Sequence, residues 1–207
     1  MTATQLYYPD RMGKIILQAM EEILGRNGLS AILNLASLTD LNHCVSQQEY
    51  NQPLSFQAIS GIHSALERFY GPHGGRGVAL RIGRACFERG LREFGDAYGF
   101  TDLAFRLLPL QTRFETGASA LASLFNKHSD QRVRLQHEEK FLLWHIERCP
   151  LCWERSTDSP TCQMAVGLLQ ESLYWMSGGK IYHLEEIACL ACGDSACTIR
   201  IEKMPLS

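Results

Sequence analysis

Apolar positions in the first part of the chain recur at helical spacing. Ile15, Ile16, Ala19, Met20, Ile23 and Leu24 form one stripe along a segment that Asp10 can cap, and Gly25 with Gly28 supplies a stop. A second apolar helix is expected over about 29–38. Residues 39–54 are polar, end near Pro53 and read as a loop, after which Ser55 opens an amphipathic helix to Tyr70. The run Gly71-Pro72-His73-Gly74-Gly75-Arg76-Gly77 predicts a turn before a helix over about 77–94. Helical character resumes over 101–127, with a break near Pro109.

The period then shifts toward two. Val133 and Leu135 alternate with Arg132, Arg134 and Gln136, and in a second run Phe141, Leu143 and His145 alternate with Leu142, Trp144 and Ile146. Residues 131–147 therefore read as a hairpin turning near Glu138-Glu139. A loop over 148–160 leads to a helix from Pro160 or Thr161 to about Met176, stopped by Gly178-Gly179. Strands are expected over about 180–187 and 196–202, with Cys197, Ile199 and Ile201 on one face of the last. Helices first, an antiparallel sheet later and one helix inserted make an α+β domain. One domain spans 1–207, with a helical part over about 10–128 and a sheet part over about 131–203.

Composition narrows the function. Apolar residues make up 45% and charged residues 20% of the 207, and the net charge is −2. That is enough apolar material for a core and no basic excess for direct nucleic-acid binding. No apolar stretch approaches the ~20 residues of a membrane span. The first residues carry no charged and apolar leader, so a cytoplasmic, reducing compartment is expected, where clustered thiols hold metals or do redox work.

Six of the eight cysteines lie in the last third: Cys149, Cys152, Cys162, Cys189, Cys192 and Cys197. Two CxxC pairs, Cys149/Cys152 and Cys189/Cys192, have the spacing that places both sulfurs on one tetrahedral ion, and Gly193 eases the second turn. A competing set combines Cys162 at a helix start with Glu186, Cys189 and Cys197. An iron–sulfur cluster on the clustered thiols, or redox chemistry at one CxxC pair, is a further option. Cys44 and Cys86 stand apart and read as small buried residues. No nucleophile–base pair or dinucleotide fingerprint appears, which favours binding over catalysis.

Cys162, Gly167, Gly178-Gly179 and the pattern Glu186-x2-Cys189-x3-Gly193-x3-Cys197 resemble the 4-vinyl reductase, or hydrocarbon-binding, domain family. The segments GRNGLSAILNLASL and GGRGVALRIGRACFERGLREFG resemble its stand-alone members. In sensor domains of phenol-responsive activators of this family the equivalent positions hold a structural zinc, which implies Cys162, Glu186, Cys189 and Cys197 as ligands here. The resemblance further implies a fold like that of small trafficking-complex subunits, with helices on a twisted antiparallel sheet. It also implies a homodimer and a pocket for an apolar, phenolic or tetrapyrrole-like ligand. The strand at 141–147 would border that pocket, with Phe141 and Trp144 as candidate lining residues. A zinc-pinned small-molecule sensor is the first reading. An iron–sulfur redox protein of tetrapyrrole vinyl-group reduction is the alternative, and a dimeric interaction subunit without ligand is a third.

Overall fold

The computed structural model describes residues 5–42, 53–100 and 102–206. Cys44 and residues 43–52 of the expected loop lie outside them, while residues 39–42 of that stretch are helical. The first helix, α1 (Asp10–Leu35), is broken at Gly25, which sits at φ 69° and ψ 166°. The second, α2 (Phe56–Phe94), is broken at Gly71 in the same conformation. Only glycine enters that region without a steric penalty, so the chain breaks where a Cβ is missing. The turn expected over 71–77 shrinks to Gly71 alone. Pro72, whose fixed φ suits a first helical turn, restarts the helix at once. Asp10 lies in the first turn of α1 with Pro9 as the flanking residue, and its carboxylate accepts from the N–H of Arg11 at 2.8 Å. Ser55 caps α2 as expected, its Oγ accepting from the N–H of Ala58.

After α2 come a short helix, α3 (Leu103–Leu107), and α4 (Leu110–His128), separated at Pro109. The sheet strands are β3 (Arg132–His137), β4 (Phe141–Arg148), β5 (Leu184–Ala188) and β6 (Cys197–Glu202). Helix α5 (Gln163–Ser177) is inserted between β4 and β5. The sheet is antiparallel in the order β3-β4-β6-β5. A two-residue strand near the N-terminus, β1 (Tyr7–Tyr8), pairs with β2 (Leu54–Ser55) in a small second sheet that the hydropathy pattern did not announce. The architecture is mixed helix and sheet, and among the described residues no helix is long and apolar enough to cross a membrane.

One face of the sheet is buried. Leu142, Trp144 and Ile146 of β4 and Cys197, Ile199 and Ile201 of β6 point into the core, each at most 1% exposed. The opposite face carries ion pairs such as Arg200–Glu185, and the Arg200 guanidinium lies over the Phe141 ring at 5.3 Å. At the β3 edge the Asn126 amide of α4 bonds both the N–H and the C=O of Val133 at 2.8 Å, so it stands in for a neighbouring strand.

Helix α5 meets α2 at backbone contact. A Cβ on Gly83 would lie 2.0 Å from the Met164 carbonyl oxygen, and one on Gly167 2.0 Å from the Leu80 carbonyl oxygen. The two glycines therefore set how deeply α5 seats. Gly167→Ala or Gly83→Ala is expected to cost about 2–3 kcal/mol, the scale of core overpacking. At this chain length that lowers the melting temperature by roughly 5–10 °C. Gly77, also in α2, has nothing within 4 Å of its Cβ position, so Gly77→Ala should stabilise by about 0.5–1 kcal/mol instead. Thermal melts of the three variants check both signs.

Candidate metal centre and ligand cavity

Three segments deliver thiols to one point at the end of the sheet. Cys149 and Cys152 lie in the loop after β4, Cys162 immediately precedes α5, Cys189 follows β5 and Cys197 begins β6. Neighbouring Sγ atoms are 3.5 Å apart for Cys149–Cys162, 3.3 Å for Cys152–Cys197 and 3.6 Å for Cys162–Cys197. Cys189 stands 3.8 Å from both Cys162 and Cys197. All these sulfurs are at most 2% exposed, and none is near the ~2 Å of a disulfide.

Strand irregularity aims the ligands. The β5–β6 register shifts between Glu186 and Ala188, so β5 holds one extra residue there. The extra residue reverses the side-chain alternation, and Glu186 and Cys189, three residues apart, both reach the buried side. Glu186 Oε2 accepts from the N–H of Cys162 at 2.7 Å, while its Oε1 is buried with no hydrogen-bond partner. Burial, then the neighbouring Cys189, pushes the Glu186 carboxyl up to about 8. An unsatisfied carboxylate oxygen beside crowded sulfurs fits a bound cation. Around the β5–β6 turn, Asp194 Oδ2 accepts from the Cys189 N–H at 2.8 Å, and the Leu190 N–H donates to Cys197 Sγ at 3.3 Å. Gly193, at φ 92°, closes that turn.

The loop after β4 turns without a glycine. Glu154, and not Trp153, takes the left-handed conformation that favours a glycine, with φ 55°. Trp153 instead anchors the loop on α2. Its ring meets Phe56 edge-on at 5.6 Å, and its carbonyl accepts from Ser60 Oγ at 2.8 Å. Arg155 makes a largely buried ion pair with Glu67 of α2 at 2.5 Å, and the Thr161 hydroxyl donates to the same carboxylate. His63 of α2 is buried with Nε2 unpartnered, and desolvation pushes its pKa down to about 3, which keeps it neutral.

The geometry brings Cys162, Glu186, Cys189 and Cys197 together, with their ligand atoms within 4.8 Å of one another. Cys149, Cys152, Cys162 and Cys197 meet the same limit. Cys192 stays exposed outside the cluster, with Thr157 Oγ1 3.7 Å from its sulfur.

A cavity of about 100 Å³ lies beneath β4, with Trp144, Phe125, Phe94, Met12 and Leu151 in its wall. Phe141 is on the other face of β4 and does not line it, because strand alternation separates it from Trp144. Tyr8 and Gln131, which hydrogen-bond each other, are the polar residues of the wall; neither stood out in the sequence. Cys86 also lines it, and burial pushes its thiol up to about 12. Cavity and sulfurs share walls: Leu151 lies between Cys149 and Cys152, and Met164 is two positions after Cys162.

No family model matches the chain. No curated protein matches it either. Among solved structures it is similar to the phenol-responsive sensory domain of the transcription activator PoxR, crystallised with phenol. That likeness has a TM-score of 0.54 and 18% identity, over 73% of this chain and 77% of that one. It is also similar to an H-NOX protein from S. oneidensis in the Fe(II)NO ligation state, with a TM-score of 0.54 and 15% identity, over 91% of this chain and 97% of that one. A trafficking protein particle complex subunit 3 from Naegleria fowleri aligns at a TM-score of 0.44 and 12% identity, over 84% of this chain and 95% of that one, a similarity that carries no weight here. At identities this low, the two likenesses with a TM-score of 0.54 show a shared fold alone.

The Arg155–Glu67 pair pins the cysteine loop to α2. Arg155→Met should cost about 2–3 kcal/mol, below the ~3–5 kcal/mol of a fully buried pair because some solvent reaches both partners. Arg134→Met, which breaks the exposed pair with Glu147, should cost less than about 1 kcal/mol. Equal effects in urea unfolding would show that the loop does not depend on the pin.

Proposed function

We propose that this chain is a small-molecule sensor domain that binds a single-ring phenolic or hydrocarbon ligand in the cavity beneath β4. In this proposal a structural zinc sits on Cys162, Glu186, Cys189 and Cys197. The observation that carries it is the cavity itself. Its ≈ 100 Å³ is of the order of the ~150 Å³ engineered cavity that takes benzene, and too small for a macrocycle. Apolar side chains supply most of the wall, and the paired Tyr8 and Gln131 offer one polar anchor for a ring hydroxyl. Burial holds Tyr8 and Cys86 protonated, so the wall presents no ready nucleophile, and binding is favoured over catalysis. The fold likeness to a sensory domain crystallised with phenol supports the same ligand class.

The sulfur spacing supports a single ion of zinc type at that ligand set. Sulfurs ~2.3 Å from a tetrahedral ion lie ~3.8 Å from one another. The Cys162–Cys189–Cys197 triangle has edges of 3.8, 3.8 and 3.6 Å. A [4Fe–4S] cluster would hold its thiolates apart on separate irons, and a [2Fe–2S] cluster would bring them together only two to an iron, whereas here three sulfurs close one triangle. A closed four-donor site leaves no position for water, so the ion's chemistry is to tie α5 to β5 and β6. Ligand in the cavity presses on Leu151, Met164 and Leu168, and thus on the segments that carry Cys149, Cys152 and Cys162. That shared wall is the route by which occupancy reaches the surface. Cytoplasmic location and a homodimer belong to the same proposal.

Thermal shift against a panel of phenols and small aromatics should give a saturable rise. At a hundredfold excess over Kd it amounts to ~2.7 kcal/mol, or roughly 5–10 °C. Leu168→Trp, which fills the cavity, should abolish the rise. In parallel, Cys189→Ser and Cys197→Ser should each lower zinc content and melting temperature. No shift with any compound removes the ligand assignment; unchanged metal and melting in both variants removes the zinc assignment.

A further inference from the structure

Six donor atoms crowd the metal centre, and one tetrahedral ion uses four of them. The donors fall into two groups whose atoms each lie within 4.8 Å of one another: Cys149, Cys152, Cys162 and Cys197, and Cys162, Glu186, Cys189 and Cys197. Both groups contain Cys162 and Cys197, whose sulfurs are 3.6 Å apart. What remains is one pair on each side. Cys149 and Cys152 come from the loop after β4; Glu186 and Cys189 come from the end of β5. The two pairs do not merge into a single group within that radius, so no one point serves all six.

We propose that the centre is binuclear, with the Cys162 and Cys197 thiolates bridging two divalent ions of zinc type. One ion is completed by Cys149 and Cys152. The other is completed by Glu186 and Cys189, and this half rests on the zinc site proposed above. A thiolate has spare lone pairs and bridges readily. An ion ~2.3 Å from both bridging sulfurs sits ~1.4 Å off the line joining them, so two ions on opposite sides lie ~3 Å apart, each four-coordinate.

Charge favours the same arrangement. All five sulfurs are at most 2% exposed and Glu186 is 8% exposed, so none of the six donors keeps substantial hydration. With every donor ionised, one dication leaves four negative charges buried together, and two dications leave two. The second ion also accounts for the buried Cys149 and Cys152, which a single-ion site leaves as thiols pressed against thiolates at 3.5 and 3.3 Å. Their loop is otherwise held by Trp153 on Phe56 and Arg155 on Glu67, contacts that place both sulfurs before any ion binds.

Native mass spectrometry of the intact chain loaded with zinc tests the count. Two zinc ions per chain are expected, falling to one in the double variant Cys149→Ser/Cys152→Ser. One ion in the wild type, retained in that double variant, overturns the second site and leaves the zinc assignment standing. One ion lost in the double variant but kept in Cys189→Ser moves the metal to the other group and overturns both assignments. No bound zinc does the same. A measurement on the unmutated chain guards against variants that fail to fold. In a titration of the metal-free chain with cobalt(II), the EPR intensity should rise over the first equivalent and fall over the second, as thiolate bridges couple the two ions. Intensity that doubles in step with cobalt overturns the bridge.

Discussion

The seat of α5 against α2 fixes nearly everything else. Gly83 and Gly167 let the two helices touch along their backbones, and any side chain there would push α5 outward by the width of a methyl group. Seated at that depth, the start of α5 brings Cys162 to the end of the sheet, where β5 and β6 deliver Glu186, Cys189 and Cys197. The same seat brings Met164, Leu168 and Leu169 to the cavity floor. One steric allowance thus positions two features of different chemistry.

Around that contact the chain uses small departures from regular structure to aim its functional groups. The extra residue in β5 turns Cys189 inward beside Glu186. The left-handed Glu154 lets the loop after β4 fold back so that Trp153 docks on Phe56. These irregularities hold positions that ideal strands and turns would not supply, and each is backed by a buried contact or a backbone hydrogen bond nearby.

Much of this was legible in the sequence where a single residue decides a local conformation. The helix breaks at Gly25, Gly71 and Pro109 and the hairpin turn after His137 followed from backbone chemistry alone. Alternation separated Phe141, Leu143 and His145 from Leu142, Trp144 and Ile146, but it did not say which face of β4 is buried, because Phe141, Leu142, Leu143 and Trp144 are all apolar. Only the register with β6, which buries Ile199 opposite Trp144, decides it. The pairing of Tyr7–Tyr8 with Leu54–Ser55 is too short to leave a periodic signal. Tyr8 and Gln131 therefore could not be recognised as partners in one wall. The cysteine spacing marked six thiols as a group, of which the fold brings five together, and the bulge that admits Cys189 and leaves Cys192 at the surface has no local sequence signature.

The centre and the cavity differ in the length of chain each needs. All six donors lie between residues 149 and 197, within one strand–helix–hairpin segment. The cavity wall runs from Tyr8 to Leu169, and the Tyr8–Gln131 bond joins residues 123 positions apart. Closing a long loop costs more entropy than closing a short one, and contacts between distant segments form later. The sulfur cluster can therefore assemble while the N-terminal helices are still unplaced. The hollow comes into being only when the first strand lands, so a formed cavity reports that the whole chain has folded.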